Sequence, residues 1–244
     1  MILSHMQIEE IASAVTKDFN EFFFGKDDDN ERLTAQATPI DQFAKDYLGL
    51  SVSFAHLSSD GSLCGLTAYT DTEYTIEEQG VKRTIPLKAN QVLLDMSFIQ
   101  PGQVHALCGK RRFTLAHECA HQILFGMESD NDKRTHKSKY APRAAYSLRD
   151  LKTREDWNEW QANVLGAAIL MPQKEIDIAM RQFARGRVLK NYEGRFNYID
   201  RLSLTLLCQS LGVSKSAAII RLRQLGYIED RPFAEYDDPL EVWL

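Results

Sequence analysis

The sequence predicts an α+β protein of 244 residues in which a strand-rich half leads into a helical half. Between residues 50 and 99 the side chains alternate between apolar and polar types or are rich in β-branched residues, which is typical of strands. On both sides of this stretch, apolar residues recur at helical spacing instead. Strands in one run and helices in another predict an α+β arrangement rather than alternating β-α units.

Composition and charge exclude several classes of protein. Hydrophobic residues make up 44% of the chain and charged residues 26%, as in ordinary globular proteins. No apolar run approaches 18 residues, so we expect no membrane span, and we recognise no signal peptide. Four scattered cysteines without a C-x-x-C pair predict free thiols in the cytoplasm. The net charge of −5 does not favour broad binding to nucleic acids.

The first two elements are predicted to be helices. Apolar residues at helical spacing place one helix over residues 8–24. The acidic run at residues 26–30 lacks the alternating ligands and distal glutamate of a calcium loop, so we predict a solvated loop. A second helix is predicted to begin at Thr38 or Asp41 and to end near Gly49.

Five strands are predicted in the middle of the chain, separated by glycine-containing and aspartate-containing turns. They span residues 51–57, 63–70, 74–78, 81–87 and 91–98. The short connection between the third and fourth strands contains Gly80 and predicts a hairpin.

Two further helices are predicted in the second half of the chain. The first spans residues 113–125, with Thr114 as its N-cap and Gly126 just beyond its end. The second opens at about residue 155 and runs to about residue 170, where Pro172 prevents it from continuing.

The first of these helices carries the most informative pattern of the chain. Residues 117–121 read HECAH, which has the HExxH spacing. Two histidines four positions apart lie on one face of a helix, where both imidazoles can reach one metal ion. Glu118 is then placed to act as a general base. Cys119 points away from that face and is interpreted as a core residue.

The second helix offers the third ligand that a catalytic zinc site needs. Glu159, Asn163 and Gly166 fall at i, i+4 and i+7 on one face, with an alanine at i+3. The small residues would let this helix approach the HExxH helix closely, and Asn163 could hold a ligand in place. Glu155 and Asp156 are alternative donors, and a solvated Glu159 is the remaining interpretation.

Both helices together resemble the ImmA/IrrE family of zinc-dependent peptidases. The matching segments are RFTLAHECAH at residues 112–121, EWQAN at residues 159–163 and AAILMP at residues 167–172, in that order. Upstream, residues 39–44 and 48–52 resemble the opening helix and first strand of the family. The similarity extends over roughly residues 35–230.

The resemblance implies a zincin-like fold, in which a small twisted sheet packs on the HExxH and ExxAN helices. It implies His117, His121 and Glu159 as metal ligands and Glu118 as the catalytic base. Zinc is the expected cofactor, although nitrogen and oxygen ligands also accept manganese. Family members with known activity cleave helix-turn-helix transcriptional repressors, so the expected substrate is such a repressor encoded nearby. In zincin-like enzymes an edge strand beside the metal can pair with an extended peptide substrate.

A long polar connection, residues 127–154, separates the two helices and is either a solvated loop or a lid over the site. The HExxH motif leaves open which group stabilises the oxyanion that forms during peptide hydrolysis. The connection offers four candidates for that role: His136, Tyr140, Arg143 and Tyr146.

The end of the chain has the spacing of a helix-turn-helix. Two helices flank residues 212–214, and Ser214 can cap the second one. Lys215, Arg221 and Arg223 could face phosphates, whereas the many apolar residues of both helices favour simple packing. DNA is therefore kept as an alternative partner.

The predicted domains are an N-terminal helix with an acidic loop at residues 1–30, a zincin-like metallopeptidase domain at residues 31–180 and a helix-turn-helix-like segment at residues 181–244. The expected function is a cytoplasmic endopeptidase that derepresses stress, phage or mobile-element genes. One alternative is a non-proteolytic regulator with a structural metal site, whose C-terminal helices bind DNA or a repressor. Another is the enzymatic half of a toxin–antitoxin-like pair.

Overall fold

The computed structural model describes residues 2–25, 33–58, 60–78, 81–128, 153–238 and 240. Helices and small sheets occur together in it, which confirms the predicted α+β class. The chain divides into two compact units, the first made of Met1–Val15 with Pro39–Ile169 and the second of Thr16–Thr38 with Leu170–Leu244. The predicted domain boundaries after residues 30 and 180 stay a prediction.

Both predicted N-terminal helices are present. Helix α1 (His5–Phe24) starts three residues earlier than predicted and buries Ile8 completely. The acidic run at residues 26–30 lies outside the described residues. Helix α2 (Ile40–Gln42) continues directly into a π-helical turn at Phe43–Tyr47.

Five strands follow in the first unit, as predicted. The third and fourth form an antiparallel pair in which Thr72 faces Leu87, so the predicted hairpin pairing is confirmed. The other three form one sheet in which the fifth strand lies in the centre. The strands are β1 (Ser51–Ala55), β2 (Gly65–Ala68), β3 (Thr72–Glu78), β4 (Val81–Leu87) and β5 (Gln91–Asp95).

The order of the larger sheet is β1-β5-β2, with β1 parallel and β2 antiparallel to β5. Among the described residues, β2 pairs only with β5 and is therefore an edge strand. Apolar side chains of β2, β4 and β5 form a common buried cluster with a residue that follows β1, and this cluster fixes the register of the strands. It consists of Leu57, Leu66, Ala68, Leu87 and Leu93.

The fifth strand ends three residues earlier than predicted. The Asp95 carboxylate accepts hydrogen bonds from the backbone N–H groups of Leu57 and Ser97, at 3.1 and 2.9 Å. The second bond caps a 3₁₀ helix at Met96–Ile99. An aspartate that satisfies the first N–H groups of a helix ends the strand, although Phe98 continues the apolar pattern.

Helix α3 (Val104–Gly126) carries the HExxH motif and begins nine residues before the predicted start. The prediction of Thr114 as N-cap is wrong, because Thr114 lies inside the helix and its hydroxyl donates to the Lys110 carbonyl at 3.0 Å. Gly126 is the last helical residue rather than the one beyond it. The sequence between residues 104 and 113 contains no proline, so nothing stops the helix from extending backwards. Helix α3 packs against β2 and β5.

Helix α4 (Arg154–Leu170) confirms the prediction of a second helix in the second half of the chain. Thr153 and Asp156 form a reciprocal cap at its start: the Asp156 N–H donates to the Thr153 hydroxyl, and the Thr153 N–H donates to the Asp156 carboxylate. The helix ends two residues before Pro172, as expected.

The second unit contains helices and one short parallel strand pair. The predicted helix-turn-helix spacing is confirmed as α6 and α7, since Gly212 ends α6 in the left-handed conformation and the Ser214 hydroxyl accepts from Ala217 N–H at 3.2 Å. The sequence did not predict α5 or the strand pair β6·β7. The elements are α5 (Gln173–Ala184), β6 (Leu189–Tyr192), α6 (Tyr198–Leu211), α7 (Lys215–Gln224) and β7 (Ile228–Arg231).

Among the described helices, none is by itself long and apolar enough to cross a membrane. Helices α6 and α7, which bend by 103° at their junction, reach that limit only as a pair, by length and composition.

Candidate metal centre

Three metal-ligating side chains from two helices converge in the first unit. Helix α3 supplies His117 and His121, one turn apart, and α4 supplies Glu159. One ligand atom of each residue lies within 4.8 Å of the other two, and all three residues are buried. The structure therefore brings together the three residues that the resemblance implied.

The distances between the donor atoms fit a single small cation. The Nε2 atoms of His117 and His121 are 3.0 Å apart, and the Glu159 oxygens lie 3.4 and 3.5 Å from them. Two donors at about 2.0–2.1 Å from one zinc ion, at a tetrahedral angle, are separated by about 3.3–3.4 Å. A cluster with this spacing matches the ligand set of a tetrahedral ion.

The electrostatics of Glu159 also suit a ligand. Burial alone would raise the pKa of its carboxyl, but hydrogen bonds and charge from His117 and His121 outweigh burial and lower it to about 2. Glu159 is therefore ionised at neutral pH, as a carboxylate ligand must be.

Glu118 has a different environment from Glu159. Both of its carboxylate oxygens are buried and have no hydrogen-bond partner among the described residues. Burial, followed by the neighbouring negative charge of Glu159, raises the pKa of Glu118 well above its usual value. A buried and unpartnered carboxyl costs stability, and such groups concentrate where chemistry is carried out.

Helices α3 and α4 can approach closely because Gly166 has no side chain. A Cβ at Gly166 would lie 3.0 Å from the backbone N of His117 and 3.1 Å from the carbonyl carbon of Ala116. The prediction that a small residue on α4 permits this approach is confirmed. It explains how Glu159, two turns earlier on the same face, reaches the histidines.

The alternative donors at the start of α4 have other environments. Glu155 is exposed, and the Asp156 carboxylate caps its own helix through Thr153. Cys119 is fully buried, and burial raises the pKa of its thiol well above its usual value. None of these three residues takes part in the cluster that could hold a metal ion in the described part of the chain.

The structure leaves the remaining candidates without an assigned role. Asn163 is half-buried on α4. Its supporting role stays a prediction. The four oxyanion candidates lie outside the described residues: His136, Tyr140, Arg143 and Tyr146.

Strand β2 provides neighbours of the site that the sequence did not predict. A Cβ at Gly65 would lie 3.0 Å from Glu118 Oε1, so the backbone of β2 lies directly beside the candidate base. At the other end of the strand, the Gln122 amide donates to the Thr67 hydroxyl at 2.6 Å and to the Ala68 carbonyl at 3.1 Å. A glycine inside a predicted strand was the only available signal, since it often marks a close backbone approach.

The basic residues proposed to face DNA are mostly engaged within the second unit. Arg221 is buried, and its Nε donates to the Met171 carbonyl at 3.1 Å. Arg223 forms two hydrogen bonds with the Asp230 carboxylate, at 2.9 and 2.8 Å. The expectation that Arg221 faces phosphates is therefore wrong, because its side chain completes the packing of α7 rather than facing solvent.

A buried helical HExxH motif with a carboxylate from a second helix defines a metallopeptidase-type site. Residues 108–223 match the family model Peptidase_M78, the IrrE N-terminal-like domain. This match confirms the ImmA/IrrE resemblance over the residues that carry both helices of the site. No curated protein matches the chain. The family match indicates a metallopeptidase, and the three buried donors are compatible with a bound metal ion.

Proposed function

We propose that this protein is a zinc-dependent endopeptidase of the cytoplasm that cleaves a helix-turn-helix transcriptional repressor. The observation that carries the proposal is the arrangement of four buried groups: three donors spaced for one ion and, beside them, a carboxyl that has no hydrogen-bond partner in the described part of the chain. A purely structural zinc site uses four protein ligands, whereas a catalytic site uses three. Among the described residues three donors form the cluster, as in a catalytic site, and the unpartnered Glu118 carboxyl beside them favours catalysis over a structural role.

Zinc would be held by the Nε2 atoms of His117 and His121 and by the carboxylate of Glu159. When bound, zinc polarises the scissile carbonyl and makes water acidic enough to attack near neutral pH.

Glu118 is the proton carrier of the proposed reaction. Its carboxylate accepts the proton of the attacking water and then passes it to the leaving amine. The adjacent Gly65 backbone and the surrounding buried residues exclude bulk water from this carboxylate, which strengthens its interaction with the reacting groups. His117 and His121 are placed by one turn of α3, so a single rigid element positions the base and two ligands.

Access to the site requires movement of the protein around it. The candidate ligands, Glu118 and all four residues of β2 are buried. An extended peptide that adds to the sheet beside the site would pair with the edge of β2 that has no strand partner in the described ranges. We propose that the substrate is bound there after the surrounding structure opens.

The class of substrate rests on the family resemblance and on charge. The chain carries a net charge of −5, which favours an encounter with a basic DNA-binding protein over an encounter with DNA itself. A repressor encoded by a neighbouring gene is the first candidate. Its cleavage would derepress stress, phage or mobile-element genes.

The deciding experiment incubates the purified neighbouring repressor with wild-type protein, with and without a chelator, and with Glu118→Gln. We expect Glu118→Gln to bind one metal ion and to cleave about 10²–10⁴-fold more slowly, because the proton carrier is lost. Glu155→Gln removes the same charge from an exposed position on α4 and should cleave normally. Equal cleavage by Glu118→Gln and wild type would refute the mechanism.

The same purified protein can be used to identify the metal. Protein purified without added metal is analysed by mass spectrometry, and the metal-free protein is reconstituted separately with zinc and with manganese. We expect zinc to restore cleavage at a lower free concentration than manganese, because two imidazoles favour the former. Restoration by manganese alone would overturn the assignment of zinc.

A further inference from the structure

The start of strand β2 suggests a role beyond the candidate ligands and base. We propose that Gly65 is a positioning residue, which sets the location of the Glu118 carboxylate by leaving the space in which it lies. This inference rests on the proposed function of Glu118, and it adds a second element, β2, to the machinery carried by the two helices.

The glycine at this position is required for space rather than for backbone conformation. The φ angle of Gly65 lies outside the left-handed region, so another residue could adopt its backbone geometry. A Cβ there would meet Thr114 Cγ2 at 2.6 Å, Glu118 Oε1 at 3.0 Å and Glu118 Cγ at 3.4 Å. Two of these three contacts are with the candidate base.

Strand β2 cannot easily move away to relieve such contacts. Its register with β5 pairs Gly65 with Leu94, and the preceding Cys64 carbonyl accepts from Asp95 N–H at 2.9 Å. Its far end is held to α3 by the two hydrogen bonds from Gln122. Both ends of the strand are therefore fixed, one to the sheet and the other to the helix that carries the site.

The neighbours on α3 differ in how freely they can respond. Thr114 is buried, and its hydroxyl is bonded to the Lys110 carbonyl, so its methyl group is held in place. The Glu118 carboxylate has no hydrogen-bond partner among the described residues that would resist a displacement. A side chain at position 65 would thus shift Glu118, whereas glycine leaves it where it is.

A shift of the base should affect turnover more than binding. A general base must lie within about 2.6–3.2 Å of the proton that it takes, and a misplacement of about 1 Å can cost about 100-fold in rate. We expect Gly65→Ala to lower kcat about 10–100-fold on the repressor substrate, with KM changed less than about threefold and with one bound metal ion retained.

Two further variants separate positioning from simple packing. Gly126→Ala also adds a methyl group to a glycine of α3. Among the described residues, no atom beyond its chain neighbours and the adjacent helix backbone lies within 4 Å of the added Cβ, so kcat should equal the wild-type value. Adding Thr114→Ser to Gly65→Ala removes the 2.6 Å contact and leaves the contact with Glu118. The double variant should regain the thermal stability of the wild type while its kcat stays low.

A direct measurement does not depend on activity. Crystal structures of zinc-loaded wild type and Gly65→Ala/Thr114→Ser are compared after superposition on the three ligand residues. We expect the Glu118 carboxylate to move by at least about 0.4 Å, which restores an ordinary van der Waals separation from the new Cβ. An unmoved carboxylate, or recovery of kcat together with stability, would overturn the proposal.

The same structures, together with the cleavage assay, distinguish a failure of the proposed function from a failure of the proposed role of Gly65. If the wild type cleaves no candidate repressor, the proposed function fails, whereas a displaced Glu118 still supports the role of Gly65 in positioning it. If the wild type cleaves and Glu118 does not move, the proposed function stands and the role of Gly65 is rejected.

Discussion

Glu118 in the first unit and two buried charged residues in the second, Arg221 and Asp200, differ in whether they have hydrogen-bond partners. In the second unit, Arg221 donates to the Met171 carbonyl, and the buried Asp200 accepts from Lys190 N–H and from the Arg187 guanidinium. In the first unit, the Glu118 oxygens have no partner among the described residues. A fold keeps an unsatisfied buried carboxyl only at a cost in stability. The buried residues with hydrogen-bond partners stabilise the fold, whereas the Glu118 carboxyl lies beside the three candidate ligands, where it can take part in chemistry.

Replacing a ligand should give the largest effect on the metal centre. Glu159→Gln keeps the size of the side chain but removes its charge, so zinc affinity should fall by more than about 100-fold, the upper range for groups that only support a ligand. Competition with a chelating dye measures this affinity. Glu155→Gln on the same helix is the matched control. Unchanged affinity in Glu159→Gln would break the assignment of this cluster as the metal site.

The residues of the centre could be predicted from sequence because they depend on local periodicity. The HExxH spacing fixes His117 and His121 on one helical face wherever the helix begins. The true start of α3 at Val104 could not be predicted, because helix ends depend on which backbone groups find partners in the folded chain. Gly65 was missed for a similar reason: its role arises from a contact between residues far apart in sequence.

The second unit was predicted less completely. Gly212 and Ser214 predict a turn between two helices, because glycine favours a helix C-terminus and serine favours an N-cap. Strands β6 and β7 carry no such local signal. They pair in parallel from Leu189 and Ile228 onward, and 38 positions lie between these two residues. Whether Arg221 faces solvent or the interior likewise depends on what packs over α7, which the sequence of the helix alone does not contain.

Removing a satisfied buried group should destabilise the fold without affecting the metal. Arg221→Ala leaves the Met171 carbonyl without its donor and opens space in the interior, so we expect a loss of about 2–4 kcal/mol in the free energy of unfolding. Urea denaturation measures this loss. Arg223→Ala removes an exposed ion pair and should change stability little. A large loss of zinc affinity in Arg221→Ala would contradict the separation drawn between the two kinds of buried group.

Removing the unsatisfied carboxyl of Glu118 should raise the free energy of unfolding rather than lower it. Glu118→Met replaces the carboxyl by an apolar side chain of similar length, and the metal-free variant should be more stable than metal-free wild type by about 1–2 kcal/mol. Urea denaturation in the presence of a chelator tests this expectation. A less stable variant would mean that the Glu118 carboxyl is satisfied in solution, which would weaken the contrast with Asp200.

An exposed ion pair in the first unit provides the smallest expected effect. Arg111 donates to both carboxylate oxygens of Asp41, at 2.8 and 2.6 Å, and this hydrogen bonding lowers the pKa of Asp41. The Asp41 side chain is 58% exposed, so solvent screening limits the contribution of the pair. Asp41→Asn should therefore cost only about 0.2–1 kcal/mol at pH 7.

The pH dependence of this effect follows from the direction of the pKa shift. Since the folded-state pKa of Asp41 is depressed, its contribution is fully present above the unfolded-state value of about 3.9 and is lost as the pH falls through the lower folded-state value. The difference in unfolding free energy between wild type and Asp41→Asn should thus be constant from pH 5 to 7 and shrink below about pH 4. A difference that grew on acidification would show that Asp41 is destabilising as a carboxylate. Asp41 would then resemble Glu118, whose charge costs stability, rather than Asp200, whose charge is satisfied by hydrogen bonds.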